Sequence, residues 1–317
     1  MGTAGGDVPL PMKAVAGSVP TEPGWAFEIK WDGMRIVASV DAGDVRLFSA
    51  RGAEVTHQFP ELGVLGAHLG GHGAVLDGEV VAFDDAGRTD FGRLQPRMHG
   101  QRPSRVAQLR RAVPVTYVLF DLLAVDDTPT LDLAYLDRRR LLADLVEPVG
   151  PWTVPTHQVG DGPALFEAAG RQGLEGIVAK RVDSTYRPGQ RSPTWRKCKV
   201  RRVQEAVVGG WTPGQGNRSA TMGSLLVGVH DPAAPGNPLR FAGGVGTGFT
   251  DARLTEIMSL LAPLERATPP FDPPPPRAIT RGARWVEPVL VVQVEYAHWT
   301  DEGRLRHPSY RGWREDK

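Results

Sequence analysis

Lys30, Asp32, Gly33 and Arg35 stand within one six-residue segment, Lys30-Trp31-Asp32-Gly33-Met34-Arg35, at the end of a strand-like run over 25–30. An amine placed there suits attack on the α-phosphate of a nucleotide, which is then held as a covalent phosphoramidate. The lysine must be partly deprotonated to attack, and neighbouring cations and a bound metal lower its pKa. Gly33 permits a tight turn after the strand, and Arg35 then returns beside the phosphates or the ribose. The same string also reads as a charged hairpin turn, because Asp-Gly is a common turn pair.

Phosphoryl chemistry assisted by a metal needs carboxylates facing the phosphates and cations to neutralise charge. Glu79 follows Asp77-Gly78, and Glu175 opens the run Glu175-Gly176-Ile177-Val178-Ala179-Lys180. In Trp195-Arg196-Lys197-Cys198-Lys199 the two lysines share one strand face, since alternate residues point the same way. Phe120-Asp121 ends an apolar strand, so the ring is either a purine-stacking surface or an ordinary core aromatic.

The 317 residues suggest two domains, and 41% hydrophobic residues suffice for a sizeable core. A formal net charge of +1 excludes a uniformly basic nucleic-acid coat. A nucleic-acid surface must therefore come from clustering, for which Lys180-Arg181, Arg187, Arg191, Arg196-Lys197-Cys198-Lys199 and Arg201-Arg202 are the candidates. The single cysteine, Cys198, excludes an intrachain disulfide framework, fits a reducing cytosol and reads as a buried spacer on a strand. The eight histidines lack metal-ligand spacing, so a zinc site is not expected. No stretch has the length of a transmembrane helix, and the start carries no signal pattern. The initial methionine favours a complete protein, although a domain cut from a longer chain would start the same way.

Residues 1–24 read as an irregular Gly- and Pro-rich arm. Strands are expected at 25–30, 35–40, 45–49, 75–83, 115–123 and 176–181, with helices after Pro60, over 136–146 (bearing an Arg138-Arg139-Arg140 face) and over 163–170. This mixture predicts an α+β domain of packed antiparallel sheets over 1–202. From Val203 the texture changes to short strands at 203–211, 223–230, 239–245 and 289–296, with one helix over 250–262 capped by Thr250 or Asp251. That pattern predicts a small OB-fold barrel over 203–317. Pro269–Pro276 reads as a stiff connector, and the glycines of 244–248 as a strand-to-helix turn rather than a phosphate loop.

Taken in order, the pieces resemble the ATP-dependent DNA ligases of the covalent nucleotidyltransferase superfamily. They are Lys30 to Arg35, Asp77-Gly78-Glu79, Phe120-Asp121-Leu122-Leu123, Glu175 to Lys180, Trp195 to Lys199, and the Arg314-Glu315-Asp316-Lys317 end. The tail, with Trp285-Val286 and Val245 to Phe249, is most similar to the bacterial end-joining ligases, namely ligase C and the ligase domain of ligase D. The resemblance implies an adenylation (nucleotidyltransferase) domain followed by an OB-fold domain. It implies that Lys30 takes AMP from ATP, that AMP passes to the 5′-phosphate of a nick, and that the 3′-hydroxyl then displaces it. Nucleotide contacts implied with it are Glu28 on the adenine side, Arg35 on ribose or nick phosphate, Phe120 stacked on adenine, Lys180, Lys197 and Lys199 at the α-phosphate, and Ile29 and Arg196 as further nucleotide-binding residues. Glu79 and Glu175 would hold Mg²⁺ or Mn²⁺. Arg314, Asp316 and Lys317 would orient the leaving pyrophosphate from the second domain, which requires that domain to close and reopen.

One motif departs from the family. The usual Ser-Arg pair is here Ser49-Ala50-Arg51-Gly52, with the arginine displaced by one position. A one-residue shift turns a strand side chain to the other face, so Arg51 reaches the nucleotide only through an irregular turn. The expected partners are duplex DNA with nicks or ends, bound weakly and salt-sensitively through phosphates, and by analogy a bacterial Ku-type end-binding protein. A monomer in the bacterial cytoplasm, near the nucleoid, is expected. The competing readings are an RNA ligase or mRNA-capping-type nucleotidyltransferase, and a non-catalytic DNA-end-binding module.

Overall fold

The computed structural model describes residues 8–99, 102–214, 221–279, 281–300 and 302–314. The chain divides into two compact units, Met1–Val200 and Arg201–Lys317. Among the described residues no helix is long and apolar enough to cross a membrane.

Among the described residues the first unit holds eleven strands: β1 (Lys13–Ala16), β2 (Trp25–Ile29), β3 (Met34–Asp41), β4 (Asp44–Ser49), β5 (Ala74–Val81), β6 (Thr116–Val125), β7 (Thr128–Pro129), β8 (Trp152–Thr153), β9 (Gln158–Val159), β10 (Gly176–Arg181) and β11 (Arg191–Lys199). Its helices are α1 (Phe91–Met98), α2 (Pro103–Ala112), α3 (Tyr135–Leu145) and α4 (Gly162–Arg171), with 3-10 segments at Thr56–Gln58 and Pro60–His68. One sheet runs β1-β11-β10-β2-β9 and the other β4-β3-β5-β6-β7, with β8 alongside β6.

Strand alternation sorts the side chains into layers. Along β3, Ile36, Ala38 and Val40 turn outward and bury with Phe59, Leu62, Leu65, Leu76, Leu94 and Leu119. Each such large side chain contributes roughly 1.5–3 kcal/mol when fully buried. Val37 turns the other way and meets Met12, Leu123, Tyr186 and Trp195, which join the inner faces of the two sheets. On the far side of the first sheet, Trp25, Phe27, Ile177, Ala179 and Cys198 pack with Phe166 and Ala169 of α4. The helix N-termini are set by short polar caps: Asp90 accepts from the Arg93 amide before α1, and Asp161 from the Ala164 amide before α4.

Three features differ from the sequence expectation. Residues 13–16 are a strand, β1, in parallel pairing with β11. Four residues give no detectable period, and their partner lies far along the chain. α1 and α2 were not foreseen because Gly92 and the internal Pro96 weaken α1, while α2 buries only Val106 and Leu109. α3 forms as expected, but the three arginines do not share a face: Arg138 and Arg139 are 0% and 3% exposed, while Arg140 is exposed. Arg138 donates to Asp121 at 2.7 Å and to the carbonyls of Leu133 and Ser184.

The second unit contains β12 (Arg202–Pro213), β13 (Met222–His230), β14 (Leu239–Val245), β15 (Glu265–Arg266), β16 (Arg284–Tyr296), β17 (Ser309–Trp313) and α5 (Asp251–Leu261). Its antiparallel sheet runs β14-β13-β12-β16-β15, with β17 on β16. This is an OB-type arrangement in which pairing among the described residues does not close into a full barrel. Thr250 caps α5 by accepting from the Arg253 amide at 3.3 Å. The Pro-rich segment is no free connector: Phe271 is buried with Leu226, Leu239 and Phe241 on the sheet's outer side. An aromatic ring in mid-segment gains more from burial than from an extended path.

Candidate active site

β2 delivers Glu28 and Lys30 to the inner face of the first sheet, and β10 and β11 deliver Lys180, Trp195 and Lys197 to the same face. β3 and β5 bring Arg35 and Glu79 opposite them from the second sheet. Between the sheets lies a cavity of about 280 Å³, which these residues line with Lys13, Phe120 and Arg191. Its cations outnumber its carboxylates, which suits a strongly anionic ligand.

Two glycines make the approach of these strands possible. A Cβ on Gly33 would sit 2.2 Å from the Val80 carbonyl, so a bare backbone is required by contact with β5 rather than by φ. A Cβ on Gly78 would meet the Tyr117 ring and the Val118 carbonyl at 2.5 Å. The Tyr117 hydroxyl passes there to donate to Ile36 O at 2.9 Å.

The Lys30 amine is ion-paired with Glu175 Oε2, and Lys199 Nζ lies 2.7 Å from Glu175 Oε1. Glu175 thus bridges two ammonium groups. Burial pushes its carboxyl up, but Lys30 and Lys199 outweigh that and leave it below the usual range. Arg35 grips Asp77 through Nε and Nη2, both at 2.6 Å. Burial disfavours that guanidinium, yet Asp77 more than compensates and raises its pKa. Asp77 Oδ2 also accepts from the Tyr186 hydroxyl at 2.5 Å, and that hydroxyl accepts from the Met12 amide at 2.8 Å.

Glu79 faces the cavity differently. Burial pushes its carboxyl up to about 7, with Arg35 and Lys30 only partly opposing. Lys180 is 1% exposed, with Nζ 2.6 Å from Glu28 Oε2. Its ammonium lies 4.3 Å from the Trp195 ring centroid, 4.5 Å from Phe120 and 5.0 Å from Tyr135. Burial lowers its pKa against the pull of Glu28. Glu28 is pushed up by burial, but Lys180 and Arg139 outweigh this and hold it ionised. The Lys197 ammonium is lowered by burial and by Lys199, Arg191 and Lys30 nearby. The buried indole nitrogens of Trp31 and Trp195, both residues of the cavity wall, have no hydrogen-bond partner among the described residues.

Of the residues expected at a nucleotide site, Glu28, Ile29, Lys30, Arg35, Glu79, Phe120, Lys180 and Lys197 line the cavity. Glu175 and Lys199 join through Lys30. Arg51 does not: it is exposed, and Ala50 lines the wall in its place, as a one-residue displacement dictates. Arg196 does not either. It alternates to the far face of β11, 4.5 Å from the Trp25 ring centroid and 3.7 Å from Glu22. The Phe120 ring is 7% exposed, with the Arg35 guanidinium 4.6 Å from its centroid. In the second unit, Arg314 donates to Glu205 at 2.7 Å; Asp316 and Lys317 lie outside the described residues.

The basic cluster of 180–202 is not one surface. Lys180 is buried, Arg191 and Lys197 enter the cavity, and Arg181 and Arg196 flank Trp25 on the far side. The sequence reading missed Met12, Lys13, Arg191 and the indoles as cavity residues. Trp195 carried a signal in heading the Lys197 and Lys199 run, Trp31 in following Lys30, and Arg191 in the basic cluster; Met12 and Lys13 carried none. Cys198 is the buried spacer expected, with burial pushing its thiol up to about 11.

Residues 11–199 match the family described as ATP dependent DNA ligase domain, and residues 218–317 the ATP dependent DNA ligase C terminal region. The multifunctional non-homologous end joining protein LigD of Mycolicibacterium smegmatis is 41% identical over 309 residues, covering 97% of this chain and 38% of LigD. The chain therefore spans under two fifths of that relative's length. DNA ligase C2 of the same organism is 32% identical over 93% of this chain and 87% of its own length. The crystal structure of the ligase domain of Mycobacterium tuberculosis LigD matches with a TM-score of 0.57 and 41% identity, covering 98% of this chain and 96% of that one. A mycobacterial DNA ligase D complexed with ATP and MES matches with a TM-score of 0.58 and 40% identity over 98% and 96% of the two chains. The chain belongs to the ATP-dependent DNA ligase family.

Proposed function

We propose that this chain seals DNA strands through an adenylate carried on Lys30. The observation that supports this best is the position of the Lys30 amine. It is held by Glu175 at the mouth of a cation-rich cavity that also contains Arg35, Glu79, Lys180 and Lys197. Lys30 Nζ attacks the α-phosphorus of ATP, the bond to the β-phosphate oxygen breaks, and pyrophosphate leaves. AMP then moves to a 5′-phosphate, and the 3′-hydroxyl displaces it. Catalysis comes mainly from alignment and from charge already in place.

Glu175 orients the nucleophile, and Lys197 and Lys199 neutralise the transferring phosphate. Glu28 and Phe120 take the base, and Lys180, read from the resemblance as a phosphate ligand, is instead held against both of them. Arg35, fixed by Asp77, serves the ribose or the nick phosphate. No group of three or more metal-ligating side chains occurs among the described residues. Mg²⁺ commonly takes one or two carboxylates and completes its shell with phosphates and water, so Glu79, with Glu175 beside it, fits that donor set. Bound there, Mg²⁺ or Mn²⁺ would neutralise developing phosphate charge.

The two units, Met1–Val200 and Arg201–Lys317, then act as adenylation and OB domains, two residues short of the 202/203 boundary read from the sequence, and Arg314, Asp316 and Lys317 serve the leaving pyrophosphate. Break repair by end joining, nicked or broken duplex as substrate, a Ku-type partner, a monomeric state and a place near the bacterial nucleoid complete the reading. It draws on the names of the LigD relatives.

Incubation with ATP labelled at the α-phosphate and Mg²⁺ or Mn²⁺ tests it. The expected result is label on wild type, none on Lys30→Ala, and passage of label to nicked duplex. Label that persists in Lys30→Ala would refute the assignment of the nucleophile.

A further inference from the structure

Between Phe91 and Phe120 the chain carries six arginines and no aspartate or glutamate, in a protein whose formal net charge is only +1. Two of the six are neutralised locally: Arg97 by Glu61 at 2.7 Å and Arg93 by Asp85 at 2.9 Å. Arg102, Arg105, Arg110 and Arg111 are exposed, and among the described residues they form no ion pair. Helix stability accounts for them only in part: Arg110 and Arg111 lie in the last turn of α2, where cations are favoured, but Arg102 is its uncapped N-cap and Arg105 lies in its first turn, where they are not.

The geometry gives these charges a shape. Pro103, Val106, Ala107 and Arg110 follow helical i, i+3, i+4, i+7 spacing and so present one flank of α2. That flank faces His57 and Pro60, and with Arg111 they enclose a groove of about 610 Å³. Its floor is apolar, its rim is cationic, and no carboxylate lines it. The groove belongs to the layer on the outer side of the second sheet. There Phe59, Leu62 and Leu94 pack on Ile36 and Leu76, while Arg35 and Asp77 turn inward to the catalytic cavity.

We propose that this groove is a second nucleic-acid contact, which grips the phosphodiester backbone of duplex DNA away from the catalytic cavity. The Arg110 and Arg111 forks pair with phosphate oxygens, and deoxyribose packs on the prolines and Ala107. The choice of DNA as the anion rests on the ligase reading above.

The test is the salt dependence of binding to fluorescent nicked and intact duplexes, in wild type, Arg110→Ala/Arg111→Ala and Ala107→Glu. Loss of two phosphate contacts should make the slope of log K against log salt shallower by about 1.8, equivalent to at most ~60-fold in affinity near 0.1 M salt. Ala107→Glu removes no arginine and keeps a good helix former at that position, but sets a carboxylate four residues before Arg111. It should weaken binding in the same direction. Self-adenylation should be unchanged in both variants, which reports an intact fold and cavity. Unchanged affinity and slope in both variants would overturn the proposal. Duplex binding that depends on the groove, in a wild-type chain that takes no label from ATP, would sink the catalytic reading and leave the groove standing.

Discussion

Replacing Glu79 with glutamine should stabilise the first unit at alkaline pH while abolishing self-adenylation. In the folded chain burial, only partly offset by Arg35 and Lys30, pushes this carboxyl from 4.5 up to about 7. The unfolded chain titrates near 4.5, so between the two values the folded state binds the additional proton. Stability must therefore fall as pH rises from about 4.5 to about 7, and stay reduced above that. The full shift corresponds to about 3 kcal/mol. Screening by solvent in the open cavity brings this to about 2 kcal/mol. For a domain of this size that is a rise of about 4–8 °C in Tm for Glu79→Gln near pH 8. Near pH 4.5 the difference should shrink to about 1 °C, because little of the charge has yet formed. Thermal unfolding followed by tryptophan fluorescence in chelator-containing buffer measures both. A glutamine variant that is less stable near pH 8, or more stable by the same margin at both pH values, would refute the argument. The charge is retained at a cost in stability, which is reasonable if it serves a cation bound with the nucleotide.

Two further substitutions probe the supports behind the cavity. Tyr186→Phe keeps the edge-on ring contact with Trp195 but removes the hydroxyl that links the Met12 amide to Asp77. A loss of about 1–3 kcal/mol in urea unfolding is expected, together with slower self-adenylation as Asp77, the partner of Arg35, loses its anchor; equal stability would mean that water replaces the hydroxyl. Gly78→Ala places a methyl 2.5 Å from the Tyr117 ring and the Val118 carbonyl, and should cost roughly 1–3 kcal/mol by overpacking. A Tm within a degree of wild type would show that the strands yield at that point.

The sequence by itself determined the chemistry. Lys30, Glu79, Glu175, Lys180, Lys197 and Lys199 occur at spacings set by short strands, where a fixed side-chain alternation makes facing direction readable from local order. That is why Lys197 and Lys199 read as sharing one strand face and why a displaced Arg51 was suspect, whereas Lys180 was named only through the family resemblance. The same alternation, applied to Arg196, would have sent it to the far face, where it packs on Trp25. The tertiary structure decided what no local pattern encodes. Residues 13–16 pair in parallel with a strand nearly 180 positions away, and such a contact leaves no periodic trace in a four-residue segment. Arg138 and Arg139 look like a solvated helix face until Asp121 and Glu28 are brought beneath them. Charge alone does not say whether an arginine faces water or a buried carboxylate. That depends on which strand the helix lands upon, and packing settles it.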